Sequence, residues 1–273
     1  MNKRSWNLEG KVAMVSGASR GIGRAVAVEF LSLGARVLAV ARGMDDLKEL
    51  QKDTGLLASG LHILKADLTQ ADGRELARGY IAETFGRLDI LINNVGTNIR
   101  KPALAYDNLD IYNIFTTNLH TAFELSRACY ALMKEKGGSI VNLSSVAGAT
   151  HLGTGVVYAM TKAAVNQMTR NLAVEWARDN IRVNAVSPWY TRTPLAESVL
   201  KNPDYHRKVL ERTPLGRIGE PEEVASLVAY LCMDQAAYIT GQVVNIDGGF
   251  SVYGFDPTRP EQSPSASSPD QPS

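Results

Sequence analysis

Cysteine is scarce in this chain: Cys129 and Cys232 are the two thiols in 273 residues, and both sit in apolar, helix-like surroundings. That number suggests neither a disulfide framework nor a metal site, and both read as small core residues of a reduced compartment. An excess of one charge is also lacking. Lys+Arg 29 against Asp+Glu 28 leaves a net charge of +1, with no long run of either sign. Nucleic acid and an acidic membrane surface are therefore not expected as partners. No apolar run approaches the ~20 residues of a membrane span. The segment 5–11, after the first basic residues, lacks the apolar stretch of a secretory signal. A soluble, cytoplasmic protein is expected. No internal repeat is evident. What is present is a hydrophobic fraction of 45%, enough for the core of one large domain, expected over 1–255. From Asp256 the composition turns to Pro, Ser, Asp and Gln, so 256–273 reads as a disordered tail.

Short apolar runs alternate with helical periodicity throughout. Val12–Ser16, Arg36–Ala41, Leu61–Lys65, 89–92, 139–143, 182–187 (broken by Pro188) and 242–246 read as buried strands. Helices are expected after the first glycine-rich turn, over 70–85 and 109–136, around Tyr158 to Trp176, and from Pro221. This alternation predicts an α/β fold: one doubly wound parallel sheet, Rossmann-type, with helices on both faces. The stretch 188–213, rich in Pro and apolar residues, reads as a substrate lid.

The first strand runs into Gly17, Ser19, Arg20, Gly21, Ile22 and Gly23 and then a helix with Ile22, Val26, Phe30 and Leu33 on one face. Strand, glycine turn and free helix amides together make a dinucleotide phosphate site. An NAD-type site would want a carboxylate at the end of the second strand. Here Ala41 and Arg42 stand there, and with Arg20 they suit a 2′-phosphate, so the expected cofactor is NADP(H). Asp67 and Leu68 suit an adenine contact, although Asp67 also fits a helix N-cap. Asn94 and Gly96, at the end of the fourth strand, are expected near the cofactor ribose, and Asn93 fits a lock between strands. Asn118 stands in the middle of a long helical pattern, which Asn disfavours. A bend satisfied by its side chain, or a freed carbonyl holding a water, would explain it.

Tyr158 and Lys162 are four residues apart, which on a helix puts phenol and ammonium on one face. A free phenol titrates near pH ~10, and a neighbouring cation would lower that value toward the range useful for acid–base catalysis. Ser145, ending the fifth strand, can orient a carbonyl oxygen.

In their order and spacing these pieces resemble the short-chain dehydrogenase/reductase family over residues 8–250: Gly17, Gly21 and Gly23; 93–96; Asn118; Ser145; Tyr158 with Lys162; and Pro188 with Thr193. Within it, 6–10, 172–182 and 238–242 are similar to tropinone reductases and tropinone-reductase-like proteins. The resemblance implies hydride transfer to a ketone, with Tyr158 as general acid, Ser145 on the developing oxyanion and Lys162 on Tyr158 and the ribose. It also implies a water relay through the Asn118 carbonyl, and Pro188, Thr191 and Thr193 about the nicotinamide. A homotetramer or homodimer is implied as well, paired through 109–136 with 157–178 and through the last helix and strand. Proximity to these residues makes Val146, Leu152, Val156, Trp189, Tyr190 and Leu195 candidate pocket walls, with Arg100 a positive charge at the mouth. The expected substrate is a small apolar, cyclic ketone. A 3-oxoacyl-thioester reductase shares the same catalytic residues, an NAD-linked alcohol oxidase conflicts with the two arginines, and a non-catalytic NADP-binding scaffold conflicts with the intact Asn118, Ser145, Tyr158 and Lys162.

Overall fold

The computed structural model describes residues 6–254; the tail expected at 256–273 lies outside them. Seven parallel strands form one sheet: β1 (Val12–Ser16), β2 (Arg36–Ala41), β3 (Leu61–Lys65), β4 (Ile90–Asn93), β5 (Gly138–Leu143), β6 (Ile181–Pro188) and β7 (Val243–Ile246). Their order is β3-β2-β1-β4-β5-β6-β7, so the chain reverses direction across the sheet between β1 and β4. Open α/β sheets bind ligands outside the strand ends at such a reversal.

The helices are α1 (Gly21–Ser32), α2 (Met44–Asp53), α3 (Ala71–Phe85), α4 (Asn108–Phe115), α5 (Thr121–Met133), α6 (Val156–Glu175), α7 (Pro194–Leu200), α8 (Pro203–Glu211) and α9 (Pro221–Cys232). Strand side chains alternate between two cores. Ala13, Val15, Val37, Ala39, Ile90 and Ile92 pack with Phe30 of α1, Leu47 and Leu50 of α2 and Val228 of α9. Val12, Met14, Leu38, Val40, Leu91 and Ile140 pack with Ile81 of α3, Cys129 of α5 and Leu172 of α6. Burial on both faces explains why the strands read as unbroken apolar runs. The two thiols lie one in each core, and burial pushes each up to about 12.

Three expectations change. The single helix over 109–136 is instead α4 and α5, joined by a π-helical turn at Thr116–His120 that carries Asn118. Helix α2 was not anticipated: Asp45, Asp46, Lys48, Glu49 and Lys52 charge most of it, and Leu47 with Leu50 is all its stripe. Pro188 ends β6 in register with Ile246 and does not break the strand. Its missing N–H costs little at the last rung. The stretch that follows contains α7 and α8, each with Pro in its first turn and a side-chain cap, Thr193 and Asn202. Helix α9 likewise starts at Pro221, with a Glu220–Glu223 capping box. Among the described residues no helix is long and apolar enough to cross a membrane, and no cluster of His, Cys, Asp or Glu could hold a metal ion.

Candidate active site

A cleft of about 990 Å³ lies over the carboxyl ends of the strands, between the glycine turn and α6. Its floor is set by polar groups that hold one another. The Ser16 hydroxyl donates to the Ile92 carbonyl at 2.9 Å and accepts from the Asn94 amide at 2.8 Å, tying β1 to β4. Asn94 Nδ2 donates to the Ser16 and Gly17 carbonyls, each at 3.1 Å. Asn93 Nδ2 donates to Ser126 Oγ at 2.9 Å and Asn142 Oδ1 at 2.8 Å, locking β4 to β5 and α5. Gly17 and Gly21 have positive φ (64° and 55°), the left-handed region open to glycine. Gly23 answers a different need: a Cβ there would lie 2.3 Å from the Gly17 carbonyl. Helix α1 then begins with no side-chain cap and no acid in its first turn, leaving its amide dipoles to an anion.

Gly17, Ser19, Arg20, Gly21, Ile22, Arg42, Asp67, Leu68, Asn94, Gly96, Tyr158, Lys162, Pro188 and Thr193 all line this cleft. Two members of the sequence-derived set do not. Gly23 lies behind the turn, and Thr191 lines an adjoining cavity. Asp67 is not the N-cap of α3, since Gln70 is; its Oδ1 accepts from the Thr69 amide at 3.0 Å and the Thr69 hydroxyl at 2.8 Å. The Thr193 hydroxyl accepts from the Ala196 amide at 3.3 Å as the cap of α7. Arg20 and Arg42 are exposed, with no ion pair to any described residue, whereas Arg24 is taken by Asp53 at 2.6 Å. Asp46, unforeseen, lines the same cleft from the first turn of α2.

The adjoining cavity, about 130 Å³, is lined by Ile22, Asn98, Arg100, Ser144, Ser145, Leu152, Thr154, Tyr158, Trp189, Tyr190, Thr191 and Leu195, among others. Of the six walls expected, Leu152, Trp189, Tyr190 and Leu195 are here. Val146 is not, because it is buried under the turn that follows β5, and neither is Val156, half-exposed at the start of α6. Proximity in sequence misplaced both. Trp189 is anchored by stacking on Phe250, ring centroids 3.7 Å apart, and by donating to Thr213 Oγ1 at 2.9 Å. Asn98 and Thr154 come from loops without any motif, and nothing in the sequence signalled them.

Tyr158 lines both spaces. Burial raises the pKa of its phenol above the ordinary 10.0, opposed by a hydrogen bond with Ser145 and then by the charge of Arg100. Lys162 lies beside the same ring. Its Nζ lies 5.7 Å from the ring centroid and donates to the Leu143 carbonyl at 2.7 Å. Burial brings the Lys162 ammonium down to about 8, so it keeps most of its charge at neutral pH. Asn118 fixes the neighbouring loop: Oδ1 accepts from the Thr97 amide at 2.7 Å, and Nδ2 donates to the Thr97 carbonyl at 3.0 Å and Thr161 Oγ1 at 3.1 Å. A Cβ on Gly96 would sit 3.6 Å from Asn118 Oδ1 and 3.7 Å from Lys162 Nζ, so these groups close on one point.

Known proteins share this arrangement of elements. A family model described as enoyl-(acyl carrier protein) reductase matches residues 17–251. A tropinone reductase homolog of Arabidopsis thaliana is 49% identical over 257 residues, covering 92% of this chain and 96% of the relative. The structure of a short-chain type dehydrogenase/reductase from Mycobacterium marinum superposes with TM-score 0.86 at 34% identity, covering 90% of this chain and 97% of that one. The RhlG/NADP active-site complex of Pseudomonas aeruginosa does so with TM-score 0.85 at 31% identity, covering 90% and 98%.

Proposed function

The chain belongs to the short-chain dehydrogenase/reductase family, and from that premise we propose an NADPH-dependent reductase of a small cyclic ketone, with Tyr158 as the general acid. The observation that carries this reading is the position of Tyr158, where a dinucleotide-sized cleft meets a small, largely apolar cavity that Ser145 also lines.

The residues present suit the cofactor. Uncapped amides at the start of α1 and the two positive-φ glycines fit a pyrophosphate, and Arg20 with Arg42 fits a 2′-phosphate at the end of β2. NADP in the Pseudomonas aeruginosa complex is consistent with that choice. When bound, the reduced nicotinamide supplies hydride to the ketone carbon. Tyr158 then gives its proton to the oxygen as negative charge develops there. A phenol whose pKa burial has raised is protonated at neutral pH, as a donor must be. Ser145 shares the same oxygen and orients the phenol, acting where charge builds up. Lys162, still largely cationic beside them, adds positive potential in the cleft and holds the end of β5 through Leu143. Asn118 keeps the 96–97 backbone in place from its π-turn.

Replacing Tyr158→Phe removes the proton but keeps the ring. Ketone reduction with NADPH should fall by about 10²–10⁴-fold, with NADPH affinity by fluorescence titration nearly unchanged. A variant that loses cofactor binding and keeps turnover would overturn the assignment.

A further inference from the structure

Tyr158, Lys162 and Asn166 recur every four residues along α6, so one face of that helix carries all three. The first two serve the proposed reaction. Asn166 lines neither the cleft nor the cavity, yet it is buried, and a buried amide inside a helix calls for partners.

Those partners are the two ends of the turn that bears Ser145. On one side the Ser144 hydroxyl donates to Asn166 Oδ1 at 2.6 Å and lies 3.3 Å from the Lys162 carbonyl. On the other, Asn166 Nδ2 donates to the Gly148 carbonyl at 3.4 Å. Gly148 has no room for a side chain: a Cβ there would lie 2.7 Å from the Lys162 carbonyl carbon and 2.8 Å from Asn166 Nδ2. One turn earlier on the same face, Lys162 Nζ holds the Leu143 carbonyl. Residues 143, 144 and 148 are each fastened to α6, and Ser145 stands between them. Its own hydroxyl accepts from the Ala147 amide at 3.2 Å, a bond internal to the turn that does not set its distance from the helix. Ser145 ends a strand and Tyr158 belongs to α6, so whatever spaces the turn from the helix also spaces these two hydroxyls.

We propose that Asn166 is a positioning residue for the reaction, clamping the turn 144–148 onto α6 so that Ser145 and Tyr158 meet on one substrate oxygen. This deepens the reductase reading and rests on it for the reacting oxygen. The clamp on Ser145 stands without it.

The test sets Asn166 beside a second buried pair that joins the same strand and helix farther from Ser145: Asn142 Nδ2 donates to Thr169 Oγ1 at 2.8 Å. Asn166→Leu keeps the volume and removes the amide, and Thr169→Val does the same for the hydroxyl. With NADPH and cyclohexanone, kcat of Asn166→Leu should fall about tenfold to hundredfold. Its KM, and the NADPH Kd from fluorescence titration, should stay nearly unchanged. Thr169→Val should lose thermal stability and keep kcat. Ser144→Ala severs the same clamp from its other end, so it should match Asn166→Leu, and the double variant should be little worse than either. It also carries the test if Asn166→Leu fails to fold. A readout free of turnover uses protein isotopically labelled at tyrosine Cζ, with the Tyr158 resonance assigned by its loss in Tyr158→Phe. The Ser145 hydroxyl acts on that phenol. The resonance should therefore move in Asn166→Leu and in Ser145→Ala, and stay in place in Thr169→Val. If the wild type reduces no ketone while the resonance responds to Asn166, the reductase reading fails and the clamp stands. Full kcat in Asn166→Leu, an equal loss in Thr169→Val, a loss carried by KM and NADPH affinity, or a Tyr158 resonance indifferent to Asn166 each overturns it.

Discussion

In the cleft above β1 and β4, backbone and short polar side chains satisfy one another: Ser16 bridges two strands, Asn94 holds two carbonyls, and the glycines let the chain turn under the helix. In the cavity beside it, buried polar atoms stand unpaired among tryptophan, tyrosine and leucine side chains. The first space is built to meet a ligand whose shape is fixed, through backbone that few substitutions can alter. The second is built by side chains from four separate stretches of sequence, any one of which can change without disturbing the sheet. A shared cofactor chemistry and a private substrate choice can therefore sit on one fold.

That contrast can be broken first at Gly23, which touches no ligand space itself. Gly23→Ala would press a methyl against the Gly17 carbonyl and Asn94 Nδ2, at 2.3 and 2.4 Å in the present geometry. NADPH affinity should fall about 100-fold, with roughly 1–3 kcal/mol lost in thermal unfolding. Wild-type affinity in that variant would mean that the turn is not held by backbone fit. Next is Arg42→Asp, which reverses a charge at the cleft rim. NADPH affinity should drop about tenfold to hundredfold, with NADH scarcely affected. Parallel changes in both affinities would refute the 2′-phosphate contact and turn attention to Asp46.

A third test concerns Lys162, which lines the cleft. Its pKa falls from 10.5 to about 8 on burial, so the folded chain binds fewer protons than the unfolded one between those values. The cost of burying the cation is complete below pH 8 and fades as pH rises toward 10.5. Wild type should therefore gain stability relative to Lys162→Met over that interval, read as the change in their Tm difference. Because both proteins share the buried thiols and Tyr158, the comparison cancels those groups. A difference independent of pH would place the ammonium in contact with solvent.

Most of the sheet was legible because the inner strands are buried on both sides and the strands are bounded by turn residues. Arg36–Ala41 and Leu61–Lys65 are read to the residue. Helix α2 was not, since charged residues dominate it and its amphipathic face rests on just two buried residues, Leu47 and Leu50. The π-turn left one trace in the sequence, an asparagine within a helical pattern. Its conformation came from Asn118 reaching across to Thr97 and Thr161, partners that no local window contains. The residues that line the cleft were legible as a set because a glycine turn and strand ends are local features. The cavity walls were legible only in part: Val146 and Val156 are adjacent in sequence to the site yet face elsewhere, while Asn98 and Thr154 had no signal.

The amino-acid order by itself settled the alternation of strands and helices, the glycine turn ahead of α1, and the i, i+4 placement of Tyr158 and Lys162. Backbone periodicity decides each of these over a few residues. Only the assembled chain decided how acidic that phenol is and which side chains crowd the cavity around it. Desolvation and unpaired charge are summed over every atom within reach, and for Tyr158 those atoms come from Ser145, Arg100 and walls supplied by distant parts of the chain.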